Sequence, residues 1–368
     1  MVIDTLKKLL VRKIVQFKVM RFEFGFVSSA YSYKRKKVFF REVLLPTKFL
    51  IEMGEDLKDK EGSEKLLYQI GKNFTWNYWE ALGVSEVKNF YEIEKYWKDA
   101  ELFMEIFYAS SINHQILAEK LLYMQLRNYM ICSEGGTSSF NLGTFAGLLG
   151  RTIKDKQIEA VEVSCQGQGR EYCEVYVGLP SELKKKVPET EIITSEVEEY
   201  NAYDLSYKLY NRPVSSFRGT SLLDLLREDI FSYSEGTLSL LGRFRFFPLE
   251  ILGLHLLERN LEGPVLKASY EVGREIGEVL PRNDVDFLFN LISALGFGVS
   301  VPVSIAGELR VRIEGYPYSK LLNFNFPYLR GFIKGLMEGS LGGEYEVKPD
   351  KYLLGNNLQL LLVIRKSG

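Results

Sequence analysis

Hydrophobic and polar positions repeat with two different periods along the chain, and the changes of period outline its elements. Residues 17–26 read F-K-V-M-R-F-E-F-G-F, an alternation that predicts a strand. Residues 28–37 are polar and predict a turn, and residues 38–45 predict a second strand. Pro46 suits the first position of a helix carrying Phe49, Leu50 and Met53. Apolar residues at helical spacing predict long helices over residues 64–82 (Leu66, Leu67, Ile70, Phe74, Trp79) and over residues 85–110 (Phe90, Ile93, Trp97, Phe103). Their aromatic positions read first as core, and a core this aromatic can also line an apolar cavity. Residues 116–131 fit either period. Residues 144–153 predict a helix in which Gly147 allows close packing. At the start, Leu6, Leu9, Leu10 and Ile14 interleave with Lys7, Lys8, Arg12 and Lys13. That pattern reads as a short element docked on its own domain, or as a basic amphipathic helix.

The stretch E-A-V-E-V-S-C-Q-G-Q-G-R-E-Y-C-E-V-Y-V, residues 159–177, alternates on both sides of a Gly-rich turn and predicts a β-hairpin. Closing it brings Cys165 and Cys173 together, with Glu162 three residues before the first thiol. The remaining cysteine, Cys132, lies in the same half of the chain. Three readings compete: a metal knuckle, since thiolates and a carboxylate are acceptable zinc ligands; buried free thiols acting as small apolar residues; and a cross-strand disulfide. Residues i and i+3 of a regular strand face opposite sides. Glu162 and Cys165 can therefore share a metal only if the strand bends near Ser164.

Internal repetition is the second feature. Pro46 and Pro248, Lys65 and Lys267, Tyr68 and Tyr270, and Gly71 and Gly273 are each 202 residues apart. Further on, G-T-F-A-G-L-L at residues 143–149 is echoed by G-F-I-K-G-L-M at residues 331–337, a spacing of 188. The second copy ends in strand-like E-Y-E-V and L-Q-L-L-L-V-I and carries no cysteine. The organisation predicted is a first domain at residues 1–180, a charged, Pro-broken linker and Tyr-rich insert at residues 181–228, and a second, degenerate domain at residues 229–368. Strands and helices arrive in blocks, so the fold class is α+β, each domain pairing an antiparallel sheet with helices. Two copies in one chain can pair as an internal pseudo-dimer.

Phe140 followed by G-L-L-G at residues 147–150, then V-E-x-x-C and Y-C-E-V-Y-V, resembles the C-terminal half of the 4-vinyl reductase domain. That domain occurs in bacteriochlorophyll 4-vinyl reductase-related proteins, in archaeal hydrocarbon-binding proteins and in the sensor domains of phenol-responsive activators. The fold is related to subunits of the vesicle-tethering transport particle (TRAPP). The resemblance implies a structural zinc held by Glu162, Cys165, Cys173 and one upstream cysteine. The upstream position falls near Ser139, which is not a cysteine, so Cys132 completes the set only if its loop folds back. The implied function is binding or sensing of an apolar or aromatic small molecule. The domain's name also suggests an accessory role in tetrapyrrole vinyl reduction, and the absence of an output segment suggests a scaffold that works through a protein partner.

Composition narrows this little. With 368 residues, 46% hydrophobic, 26% charged and a net charge of −1, the chain is ordinary globular material with no general affinity for nucleic acid. No run predicts a membrane span or a signal peptide, so a cytoplasmic location is expected. Two histidines, His114 and His255, no Gly-rich dinucleotide fingerprint and no acid–base pair leave no catalytic residue to assign.

Overall fold

The computed structural model describes residues 20–33, 36–58, 60–81, 87, 92–94, 97, 101, 104–105, 107–136, 139–200, 219–234, 236–305, 308–317, 324–354 and 357–367. The basic N-terminal stretch, and residues 201–218 of the Tyr-rich insert, lie outside them.

The first half runs β1 (Met20–Glu23), β2 (Phe26–Tyr33), β3 (Lys36–Pro46), α1 (Thr47–Leu57), α2 (Ser63–Ala81), β4 (Ser111–Ala118), β5 (Leu121–Arg127), α3 (Ser139–Ile153), β6 (Glu159–Ser164), β7 (Cys173–Gly178) and α4 (Pro180–Lys186). After α5 (Leu222–Arg227) a similar order follows: β8 (Phe231–Ser234), β9 (Thr237–Leu240), β10 (Phe244–Glu250), α6 (Ile251–Asn260), α7 (Glu262–Val279), α8 (Val285–Ala294), β11 (Val299–Ile305), β12 (Glu308–Glu314), α9 (Pro327–Leu341), β13 (Glu344–Leu354) and β14 (Asn357–Ser367). The class is α+β, with three antiparallel sheets. Two are four-stranded and wound alike, β4-β5-β7-β6 and β11-β12-β14-β13.

The third sheet joins the halves. Its order, β1-β2-β3-β10-β9-β8, reads as a palindrome once the repeat is applied. In the central pair Pro46 faces Phe246, Leu45 faces Phe247 and Leu44 faces Pro248. Each residue thus faces the 202-residue counterpart of its mirror position, and Leu45 and Phe247 lie on a local two-fold axis. This is the self-complementary contact of a two-fold dimer, made within one chain. Two buried arginines extend it. Arg41 donates to the carbonyls of Gly25, Gly296 and Gly315, and Arg245 to those of Asn128 and Gly236. Each clamps its own hairpin turn to the strand end of the opposite half. One contiguous apolar core runs through both halves, and Phe49 meets Tyr328 edge-on at 4.9 Å.

Within each half a helix pair packs backbone against backbone. A Cβ on Gly143 would lie 2.0 Å from the Tyr68 carbonyl oxygen, and one on Gly335 would lie 2.1 Å from that of Tyr270. Gly71 against Phe140 and Gly273 against Phe332 repeat the relation. The packing therefore equates Gly143 with Gly335 and Gly147 with Gly339, a spacing of 192. The sequence echo at 188 slipped by one helical turn because small residues recur every four positions on α9.

Three further expectations change. Residues 28–37, read as a polar turn, mostly belong to β2 and β3. Ser29 is polar because β3 carries buried charge: it donates to Glu42 at 2.6 Å in the core. Residues 116–131 resolve into the β4–β5 hairpin, and the described residues between 92 and 107 are helical. The linker, read as a solvated charge run, is partly tied down. Asn73 and Asn77 bond the backbone of Glu198 and Tyr200, and Lys72 bonds the carbonyl of Ser195. No helix among the described residues is long and apolar enough to cross a membrane.

Candidate metal centre

Strands β6 and β7 form the expected hairpin, Glu159 facing Gly178 at its open end. The register slips between Glu162, opposite Val175, and Ser164, opposite Glu174. Val163 is the extra residue, a β-bulge that puts its side chain 40% into solvent. The bulge supplies the bend that the Glu162–Cys165 spacing requires, turning the carboxylate and the thiol to the same side. Beyond Cys165 a single 3-10 turn, Gln166–Gln168, closes on Gly169 at φ 82° and returns the chain to Cys173.

The third sulfur comes from a second knuckle. The chain leaves β5, passes Asn128 at φ 51° and folds back into a 3-10 turn, Cys132–Glu134, closed by Gly135 at φ 84°. The two turns touch through glycine: a Cβ on Gly167 would come within 2.9 Å of the Gly136 carbonyl oxygen. This fold-back brings Cys132 against Cys165 and Glu162. Ser139 itself starts α3 and donates to Glu64.

The Sγ atoms of Cys132 and Cys165 are 3.3 Å apart, and Cys132 Sγ is 3.7 Å from Glu162 Oε1. One donor atom from each of Cys132, Glu162, Cys165 and Cys173 lies within 4.8 Å of every other. For comparison, a tetrahedral zinc with sulfur at about 2.3 Å and oxygen at about 2.0 Å sets its donors roughly 3.8 Å (S–S) and 3.5 Å (S–O) apart. The donor set could hold a metal ion. All three cysteines are free and buried. A disulfide would join two sulfurs and leave the third thiol and a half-buried carboxylate against it.

Electrostatics point the same way. Burial, then the neighbouring Cys165 sulfur, pushes Glu162 up to about 8. Cys165 is held down by its hydrogen bonds with Cys132 and then Cys173. Cys132 is pushed far up by sharing its proton with Cys165 and Cys173, and then by burial. Without a cation the four groups cannot ionise together. A divalent ion would remove that conflict.

The surroundings fix the knuckles from outside. Gln166 Oε1 accepts from the Asn128 amide at 2.7 Å, so each turn holds the other. Arg245, from the second half, donates to Ser133 Oγ at 2.8 Å and to the Asn128 carbonyl at 2.9 Å. The second half's own final hairpin, β13–β14, has no cysteine. Sequence reading missed Arg245 and Asn141, the latter buried on α3 beside the cluster. The signal that could have strengthened Cys132 is its two following glycines, Gly135 and Gly136, which mirror Gly167 and Gly169 after Cys165.

No family model matches the chain, and no curated protein does. Among solved structures it is similar to a vinyl-4-reductase family protein from Methanocaldococcus jannaschii, at 13% identity and a TM-score of 0.26, over 33% of this chain and 83% of that one. It is also similar to the phenol-responsive sensory domain of the transcription activator PoxR, solved with phenol, at 12% identity and a TM-score of 0.34, over 49% of this chain and 98% of that one. Both likenesses cover only part of the chain.

Proposed function

We propose that the chain is a binding module for an apolar small molecule, built from two tandem copies of one α+β unit, with a structural zinc in the first. The observation that carries the metal is the convergence of Cys132, Glu162, Cys165 and Cys173 within 4.8 Å. Three soft thiolates and one carboxylate favour zinc over the hard cations. Four protein donors fill a tetrahedral shell and leave no position for a reacting water, so the ion pins two turns together and does no chemistry. Support for the apolar ligand comes from the motif around Phe140 and residues 159–177 and from the aromatic content of the first half. On this reading, ligand occupancy is passed on to a protein partner.

Two measurements test this. Elemental analysis of the purified protein is expected to give about one zinc per chain, lost in Cys165→Ser together with thermal stability. Phenol, as a probe of the ligand class, is expected to raise the unfolding temperature of the zinc-loaded protein as its concentration rises. Absence of metal would remove the zinc. Indifference to phenol and to larger aromatic hydrocarbons would remove the ligand class.

A further inference from the structure

We propose that Asn141 is a positioning residue for this centre, holding Glu162 through one bound water; the inference rests on the metal reading above. A cavity of ≈ 10 Å³ borders the cluster, lined by Cys132, Glu162 and Cys173 on one side and by Asn141, Tyr129 and Phe145 on the other. That volume accepts about one water molecule. Asn141 is 5% exposed, and its Nδ2 has no hydrogen-bond partner. A buried amide N–H left unpaired is costly, so a polar cavity of this size beside it is the place for an ordered water.

The chemistry of the neighbours sets what that water does. A carboxylate that gives one oxygen to a metal keeps a second. A water accepting from Asn141 Nδ2 can donate to that oxygen and fix the plane of the Glu162 carboxylate. Such outer partners hold a ligand in its binding orientation. Asn141 sits in the first turn of α3 (Ser139–Ile153), whereas the four donors come from the turn after β5 and from the β6–β7 hairpin. A third element therefore bears on the site through this one side chain. Cys132 Sγ lies 3.7 Å from Glu162 Oε1; with both atoms given to the metal, the other carboxylate oxygen is the one left for Asn141.

The test uses the full chain, loaded with zinc for affinity and with cobalt(II) for its visible spectrum. In Asn141→Leu, which fills the cavity and removes the donor, zinc affinity against a chromophoric chelator should fall about ten- to hundredfold, and the cobalt d–d bands should shift. Asn141→Asp keeps the shape and also removes the donor, so it serves if the leucine variant fails to fold; it should lose at least as much. In a Glu162→Gln background the Asn141 substitutions should have little further effect, which a merely structural role would not produce. A folded variant with wild-type affinity and an unshifted cobalt spectrum would overturn the proposal, as would an undiminished loss in the Glu162→Gln background. If the wild-type protein takes up neither zinc nor cobalt, the metal reading falls and this one with it. If the wild type binds and the variants bind equally, only the role of Asn141 falls.

Discussion

At the scale of the residue, buried charge makes the sharpest predictions. Glu42 is 3% exposed on the joining sheet, and burial pushes its pKa up to about 7, against the lowering effect of the Ser29 hydroxyl. A carboxyl raised in the folded state binds its proton more tightly there than in the unfolded chain. Its contribution is therefore complete below the unfolded value near 4.5 and is lost as pH rises toward 7. The loss should amount to about 3 kcal/mol across that window. Urea unfolding from pH 4.5 to 7.5 should show it, and Glu42→Gln should flatten the slope; an equal slope in the variant would contradict the assignment. Lys72 and Glu159 form a second buried set, 2.7 Å apart, with Tyr68 and the Ser195 amide also bound to the carboxylate. Lys72→Met strands that carboxylate and should cost about 3–5 kcal/mol. Adding Glu159→Gln should recover much of it, because the amide is uncharged, its oxygen can still accept from the Ser195 amide and its Nε2 can donate to the Tyr68 oxygen. A double variant no more stable than Lys72→Met would show that charge was not the cause.

Among the elements, the helix pairs are held by glycines at backbone contact. Gly143→Ala and Gly335→Ala would each push a methyl to about 2 Å from a carbonyl oxygen of the facing helix. Each should therefore destabilise by roughly 1–3 kcal/mol or more. Gly263, on the first turn of α7, has nothing within 4 Å of its would-be Cβ, so Gly263→Ala should stabilise by about 0.5–1 kcal/mol. Melting temperatures of the three variants measure both signs at once. Much of this was legible in the sequence. The hairpin, the glycines of α2 and α3, the repeat and the α+β class follow from periodicity and spacing. The register was less so: small residues every four positions on α9 allow a slip of one turn, and only facing carbonyls fix it. The polar start of β2 was hidden because Ser29 answers a charged partner, Glu42, on β3. The place of Cys132 depended on a positive-φ fold-back that no local pattern announces, although its trailing glycines permit it.

Over the whole molecule, the cysteine knuckle and the joining sheet are connected. Arg245 belongs to β10, which pairs with β3 across the local two-fold, and its guanidinium bonds Ser133 and Asn128 beside Cys132. If the cluster holds the proposed zinc, removing it frees the Cys132 turn, and the Arg245 contacts loosen with it. Hydrogen exchange on chelator-treated protein should therefore speed up at residues 128–136 and also at the β8–β9 turn, where Gly236 accepts from Arg245. Faster exchange confined to the cysteine turns would show that the two are uncoupled. The same design builds a two-fold contact within one chain, from residues 202 apart.

The most direct test of the metal centre is X-ray absorption at the zinc edge of the purified, untagged protein. About three sulfur neighbours near 2.3 Å and one oxygen near 2.0 Å are expected, with one sulfur lost in Cys132→Ser. A protein without metal, or a shell in which Cys132→Ser changes nothing, would contradict it.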